Sequence, residues 1–190
     1  MRGEGACPLC EAVGAIPAEI DRVLQGVDEG DVEALGSAIL GAHRIAIYGL
    51  GREGLVMRSF AMRLMHLGLP AAVVGDVTAP PVGPGDLFLL SCGPGYISTA
   101  EALMGVAQGA GARIAMLTAE PQAALPRLAG LVVCLPAQTM AQAEGASSGQ
   151  AMGSAFEQAM WILFDALVPR LQAATGQTAE DLRRRHTNLE

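Results

Sequence analysis

Three kinds of residue in this sequence could take part in chemistry. Glu157 stands among Phe156, Met160 and Trp161 at the head of an apolar stretch from Ser154 to Leu171. Apolar surroundings disfavour a charged carboxylate and lift its pKa towards the working pH, where it serves as a general base, although a helix N-terminus pulls the other way. The plainer reading is a first-turn Glu that suits the helix dipole. His66, near the end of a helical stretch, either moves protons or stabilises a helix C-terminus; His186 stands near the end of the chain, where the plainer reading is a disordered tail. His43 precedes the first strand and reads as a surface residue.

The third kind is glycine. Ile45 to Gly54 reads IAIYGLGREG, a β-branched run that enters glycines and then an amphipathic helix. Glycines let a backbone approach a ligand closely, and the next helix presents unpaired N–H groups and the positive end of its dipole. A negative or polar group is expected there, against Gly51, Arg52 and Glu53. A second turn, from Ser91 to Thr99, offers Ser91, Gly93, Gly95, Ser98 and Thr99. Gly49, Gly51 and Gly54 also fit G-x-G-x-x-G, with Asp76 where a dinucleotide-binding fold keeps its ribose acid; that alternative predicts a nicotinamide cofactor.

These residues need elements to position them. Ile20, Val23, Leu24 and Val27, then Val32, Leu35, Ile39 and Leu40, have helical spacing, with Asp28 to Asp31 as the break and N-cap region. From Arg44 the chain alternates. Strands are expected at Ile45 to Tyr48, Ala71 to Val74, Asp86 to Ser91, Arg113 to Leu117 and Leu131 to Leu135. Helices are expected at Gly54 to Leu67, Ser98 to Gln108 and, briefly, Ala123 to Leu128. Strands this short and continuously apolar belong to a parallel sheet covered on both faces, so the fold class is α/β, a three-layer sandwich with a five-stranded parallel sheet. Pro80, Pro81 and Pro84 mark an irregular rim loop, and Gln138 to Met152 reads as a functional or mobile loop. Apolar residues nearly encircle Ser154 to Leu171, which predicts a buried helix, often against another subunit. The tail opens with a cap-like Thr178-x-x-Asp181, and Arg183 to Arg185 reads as a solvated helix face.

Composition sets the limits. A chain of 190 residues, 51% hydrophobic and 4% aromatic, suits a single domain with an aliphatic core, comprising helices in 1–43, the sheet in 44–135 and a helix and tail in 153–190. A formal charge of −7 disfavours nucleic acid as a partner, since binding phosphate backbones needs clustered Lys and Arg. Gly, Pro or a charge breaks every apolar run before the roughly eighteen residues of a membrane span. The N-terminus lacks the apolar core of a secretion signal, so a cytoplasmic location and no membrane partner are expected. Cys92 and Cys134 read as buried reduced thiols. Cys7 and Cys10 have the spacing of half a zinc site or a redox pair, but no second pair follows, so a frayed terminal segment without metal is expected.

From the first strand to the last residue the chain resembles the 6-phospho-3-hexuloisomerases, a branch of the sugar isomerase (SIS) family. The resemblance rests on GLGREG at Gly49 to Gly54, FAMRLMHLG at Phe60 to Gly68, PGDLFLLSCGPG at Pro84 to Gly95, MGSAFEQ at Met152 to Gln158 and RHTNLE at Arg185 to Glu190. It implies a single SIS domain of flavodoxin-like architecture that converts a 3-keto-hexose phosphate into fructose 6-phosphate through an enediol. It also implies no metal or redox cofactor, and a homotetramer, or a dimer, with active sites at subunit contacts. Glu157, at the family's Phe-Glu position, is then the base. His66 would move protons or hold a sugar hydroxyl, and His186 would sit in a tail folded over an active site of its own or a neighbouring subunit.

Two loops depart from the family pattern. The glycine turn usually reads G-x-G-R-S-G, and Glu53 replaces its serine; the phosphate loop usually reads S-G-S-G-x-T, and Pro94 and Ile97 remove donors from it. An anion at Glu53, a few ångströms from a phosphate at a protein surface, would repel it by on the order of several kcal/mol before screening unless Arg52 neutralised it. Ser91, Ser98, Thr99 and the next helix N-terminus are the expected donors for a shifted site. The substrate is a sugar phosphate, or a sugar with another or no anionic group; the alternative is a binding module that senses such a sugar without turning it over.

Overall fold

The computed structural model describes residues 8–141 and 148–189. Two helices precede the sheet, α1 (Pro8–Gln25) and α2 (Glu29–Leu40), and Asp28 starts the second by accepting the Asp31 N–H at 3.0 Å. Strands and helices then alternate: β1 (Ile45–Tyr48), α3 (Gly51–His66), β2 (Ala71–Val73), β3 (Leu87–Ser91), α4 (Ser98–Gly109), β4 (Arg113–Thr118), a 3₁₀ turn (Pro126–Leu128) and β5 (Leu131–Cys134). Helices α5 (Ser154–Thr175) and α6 (Ala179–Arg185) close the chain.

All strand pairs are parallel, and the order is β2-β1-β3-β4-β5. The chain leaves β1 for one flank and returns to β3 on the other, so the carboxyl ends of those two strands are the topological switch point, where open α/β sheets bind their ligands. This is the flavodoxin-like order and not the 3-2-1-4-5-6 order of the dinucleotide folds. Asp76, the expected ribose acid of that alternative, is instead paired with Arg58 at 3.2 Å.

Alternation along the strands divides the core. Ile45, Ile47, Leu87, Leu89, Leu117 and Val133 join the cluster that holds the buried faces of α1, α2, α3 and α5. Ala46, Phe88, Leu90 and Met116 join the cluster beneath α4. The three layers expected from the apolar strands are therefore present. Phe60 and Phe164 stack between α3 and α5, with ring centroids 3.9 Å apart, and fix the two helices to each other.

Several boundaries move. Helix α3 begins at Gly51 rather than Gly54, because Gly51 adopts φ +54°, a conformation open to glycine, and so brings Arg52 and Glu53 into the first helical turn. A Cβ at Gly54 would lie 2.6 Å from the Gly49 carbonyl oxygen, so helix and strand end meet on glycine. Cys10 lies on α1 as an exposed free thiol and not on a frayed end; Cys7 is outside the described residues. Cys134 is only half-buried, because β5 is an edge strand. The expected helix at Ala123 to Leu128 contracts to the 3₁₀ turn.

The ends of the chain correct the sequence reading further. Helix α5 buries one face, while Trp161 and Ile162 on the other are 45% and 44% exposed. The tail is helical, started by a reciprocal capping box between Thr178 and Asp181. Arg185 is more than a solvated charge: it donates to the His66 carbonyl at 3.0 Å and to Gln177 Oε1 at 2.8 Å. Part of the Gln138 to Met152 stretch, residues 142–147, lies outside the described residues. Among the described residues no helix is long and apolar enough to cross a membrane.

Candidate functional site

The stacked phenylalanines set the register of the site. Glu53 lies seven residues before Phe60 and Glu157 seven before Phe164. Two helices pinned at equivalent points therefore present their first turns side by side, roughly 10 Å from the stack at 1.5 Å per residue. Arg52 and Glu157 meet there, with Nε 2.5 Å from Oε2. The adjoining cavity, about 490 Å³, is lined by Ile20, Leu55, Val56, Gln158, Trp161 and Ile162 as well as by that pair. Glu157 thus borders this cavity beside Arg52, which follows Gly51 in the first turn of α3.

The Glu157 side chain is 12% exposed, while that of Arg52 is 64% exposed. Burial pushes the Glu157 carboxyl above the ordinary carboxylate range, and the Arg52 guanidinium pulls it back only in part. Sequence reasoning gave Gln158 no role, yet its Oε1 is buried beside this cavity without a hydrogen-bond partner among the described residues. Its only sequence signal was its place after Glu157 in MGSAFEQ.

The second cluster is built on the end of β3. Ser91 Oγ donates to Glu53 Oε2 at 2.5 Å, and the Gly93 N–H donates to both Glu53 oxygens at 3.1 and 3.0 Å. Burial raises the Glu53 carboxyl most, the two donors lower it, and the charge of Glu157 raises it again. The Glu157 charge therefore reaches Glu53. Arg52 serves Glu157 and not Glu53, contrary to the neutralisation considered from the sequence. Cys92 next door is buried, its thiol pushed up to about 12 by burial and by Glu53, which rules it out as a nucleophile at neutral pH.

Ser98 and Thr99 occupy the first turn of α4, are exposed, and follow Ile97, which supplies no side-chain cap. Gly95 sits between the two sets, at φ +73°. The histidines gather elsewhere. His66 and His186 stack with centroids 5.2 Å apart at the C-terminal end of α3, roughly 20 Å along that helix from Glu53. Within one chain they form their own cluster with Arg185. Among the described residues no group of three or more His, Cys, Asp or Glu is gathered as a metal site requires.

Comparison with known proteins identifies the family. The SIS domain family profile matches residues 38–162. A 3-hexulose-6-phosphate isomerase of Mycobacterium gastri is 41% identical over 86% of this chain and 82% of its own. One of Bacillus subtilis is 33% identical over 95% of this chain and 98% of its own. A solved structure from Methanococcus jannaschii, for which a molecular function of 3-hexulose-6-phosphate isomerase has been inferred, is 27% identical and superposes with a TM-score of 0.82 over 95% of this chain and 99% of its own. The chain belongs to the SIS domain family.

Proposed function

We propose that the protein is a sugar-phosphate isomerase that interconverts a 3-hexulose 6-phosphate and the corresponding 2-ketose, in the cytoplasm, as a homotetramer or dimer. The observation that carries this reading is Glu157: a shielded carboxyl with a raised pKa, at the edge of a cavity, level with the glycine turns of the sheet.

Glu157 takes the proton from C2 of the 3-ketose. The electron pair enters a C2–C3 double bond and the C3 carbonyl becomes an enediol oxygen. Return of a proton to C3, with transfer of the O2 hydroxyl proton to O3, leaves the carbonyl at C2. One carboxyl above both carbons serves both carbon steps, and an imidazole suits the oxygen-to-oxygen transfer. His66 and His186 lie too far from Glu157 within a protomer, so they act in this reading from a neighbouring copy. The exposed Leu55, Trp161 and Ile162 beside the cavity give such a copy an apolar surface to meet. Arg52 leaves Glu157 to hold substrate, and Ser98 and Thr99 with the α4 N-terminus hold its anionic end. Gly51, Glu53, Ser91, Gly93 and Gly95 line the remainder. The chemistry needs no cofactor.

Proton NMR of 3-hexulose 6-phosphate in heavy water tests this. The 2-ketose is expected with deuterium at C3; an unchanged substrate overturns the reading. One observation favours the alternative of a sugar sensor, namely that Arg52 occupies the would-be base. Thermal stabilisation by the sugar phosphate without turnover or exchange would establish it.

A further inference from the structure

We infer that Glu53 is a specificity-determining residue: its carboxylate fills the anion position of the Ser91–Gly95 turn, so that the turn refuses a phosphate and receives an uncharged sugar hydroxyl instead. A β-turn leading to a helix accepts an anion through N–H groups that have no other partner. Here they are committed. The Cys92 N–H donates to the Leu117 carbonyl at 3.0 Å, the Gly93 N–H to Glu53, and the Gly95 N–H to the Cys92 carbonyl at 2.9 Å. Pro94 has none. The Ser91 hydroxyl also donates to Glu53.

Space is committed as well. A Cβ built on Gly93 would come within 2.9 Å of Glu53 Oε1 and 3.3 Å of the Phe156 ring, so the volume above the turn belongs to the chain's own carboxylate. Charge completes the case. Arg52 is held by Glu157, leaving Glu53 without a cationic partner among the described residues, and the Glu157 charge also acts on Glu53. A dianion entering the turn would meet both carboxylates and displace hydrogen bonds it could not replace. A hydroxyl, by contrast, donates to a carboxylate lone pair that Ser91 and Gly93 leave open. The substrate is thereby oriented, with a hydroxyl-bearing end against Glu53 and any anionic end towards Ser98 and Thr99. The hydroxyl part rests on the proposed sugar site, whereas the closing of the turn to anions does not.

The test uses the whole protein labelled with ¹⁵N-glycine, titrated with inorganic phosphate and, separately, with fructose 6-phosphate. In the wild type, phosphate should leave the Gly93 amide in place while fructose 6-phosphate moves it. In Glu53→Ser, which frees the donors, phosphate should move the Gly93 amide and bind at least tenfold tighter than to the wild type. Glu53→Gln, which keeps an acceptor for the Gly93 N–H, should gain less. A wild-type Gly93 amide that shifts with phosphate overturns the proposal, as does a folded Glu53→Ser no tighter than Glu53→Gln. If the serine variant loses its amide dispersion, the wild-type phosphate titration decides alone. Fructose 6-phosphate that binds without moving Gly93 overturns the hydroxyl half. Fructose 6-phosphate that does not bind at all removes the proposed function, while the phosphate comparison still decides whether the turn is closed.

Discussion

Phe60 and Phe164 stack almost parallel, 3° apart, and both are buried. The contact pins α3 to α5 at equivalent distances from Arg52–Glu53 and Glu157, so it positions the site from about two turns away. Phe164→Ala should cost about 3–5 kcal/mol by cavity formation. Phe164→Leu, which keeps most of the volume, should cost far less yet still loosen the register of Glu157. Urea unfolding measures the first effect. A lowered kcat in the leucine variant at nearly unchanged stability measures the second.

Glu157→Gln removes the base while keeping shape and the capacity to face Arg52. A loss of roughly 10²–10⁴-fold in kcat is expected, with little change in melting temperature. Deuterium exchange into the substrate should vanish in parallel. Retained exchange would move the base elsewhere.

The pH profile follows from the same pair. Burial raises the Glu157 carboxyl and Arg52 opposes the rise. The base works ionised, so kcat/KM should fall as pH falls through the raised pKa. Arg52→Met removes the opposing charge and should move that acid limb to higher pH, alongside any loss of substrate affinity. An unmoved limb would mean that another group controls it.

The sheet was legible in the sequence, with strand ends placed within one residue, because each strand is built around an apolar run flanked by glycines, prolines or charges. Ile45–Tyr48 is the plainest case. The first turn of α3 was not legible, because a positive φ at Gly51 starts the helix earlier than apolar periodicity shows. Glu53 could be recognised as a departure, but its partners Ser91 and Gly93 lie 38 and 40 residues away, and only the β1–β3 pairing brings them together. Gln158 carried no composition signal at all. The half-exposed face of α5 could not be separated from a buried one, since Trp161 and Ile162 are as apolar as their buried neighbours.

Glu53 also makes stability depend on pH in a defined direction. Its folded pKa lies above the ordinary 4.5, so the folded state holds the proton more strongly than the unfolded state. The stability it contributes is full below about 4.5 and is lost as pH rises through the raised folded value. Glu53→Gln does not ionise. The stability of the wild type minus that of this variant should therefore decline with rising pH across that window, as read from parallel urea titrations. A difference that grows with pH would show that the Ser91 and Gly93 donors outweigh burial.

Arg185 ties the tail to α3, and glycine makes room for it. Gly68 has φ +77°, and a Cβ there would lie 2.9 Å from an Arg185 guanidinium nitrogen. The same guanidinium donates to the His66 carbonyl at the helix C-terminus, where a cation is favoured by the dipole. Gly68→Ala therefore has two costs: backbone strain of about 1–2 kcal/mol, and loss of the Arg185 contact. Arg185→Ala removes only the second. In the double variant the alanine no longer collides with the guanidinium, so its cost should fall to the strain alone, and the cycle should show a coupling of at least about 0.5 kcal/mol. Hydrogen exchange localises the effect: amides of α6 should exchange faster in each single variant while those of β1 and β3 stay protected. Strict additivity, with an unchanged α6, would mean that the tail is held by something other than this contact.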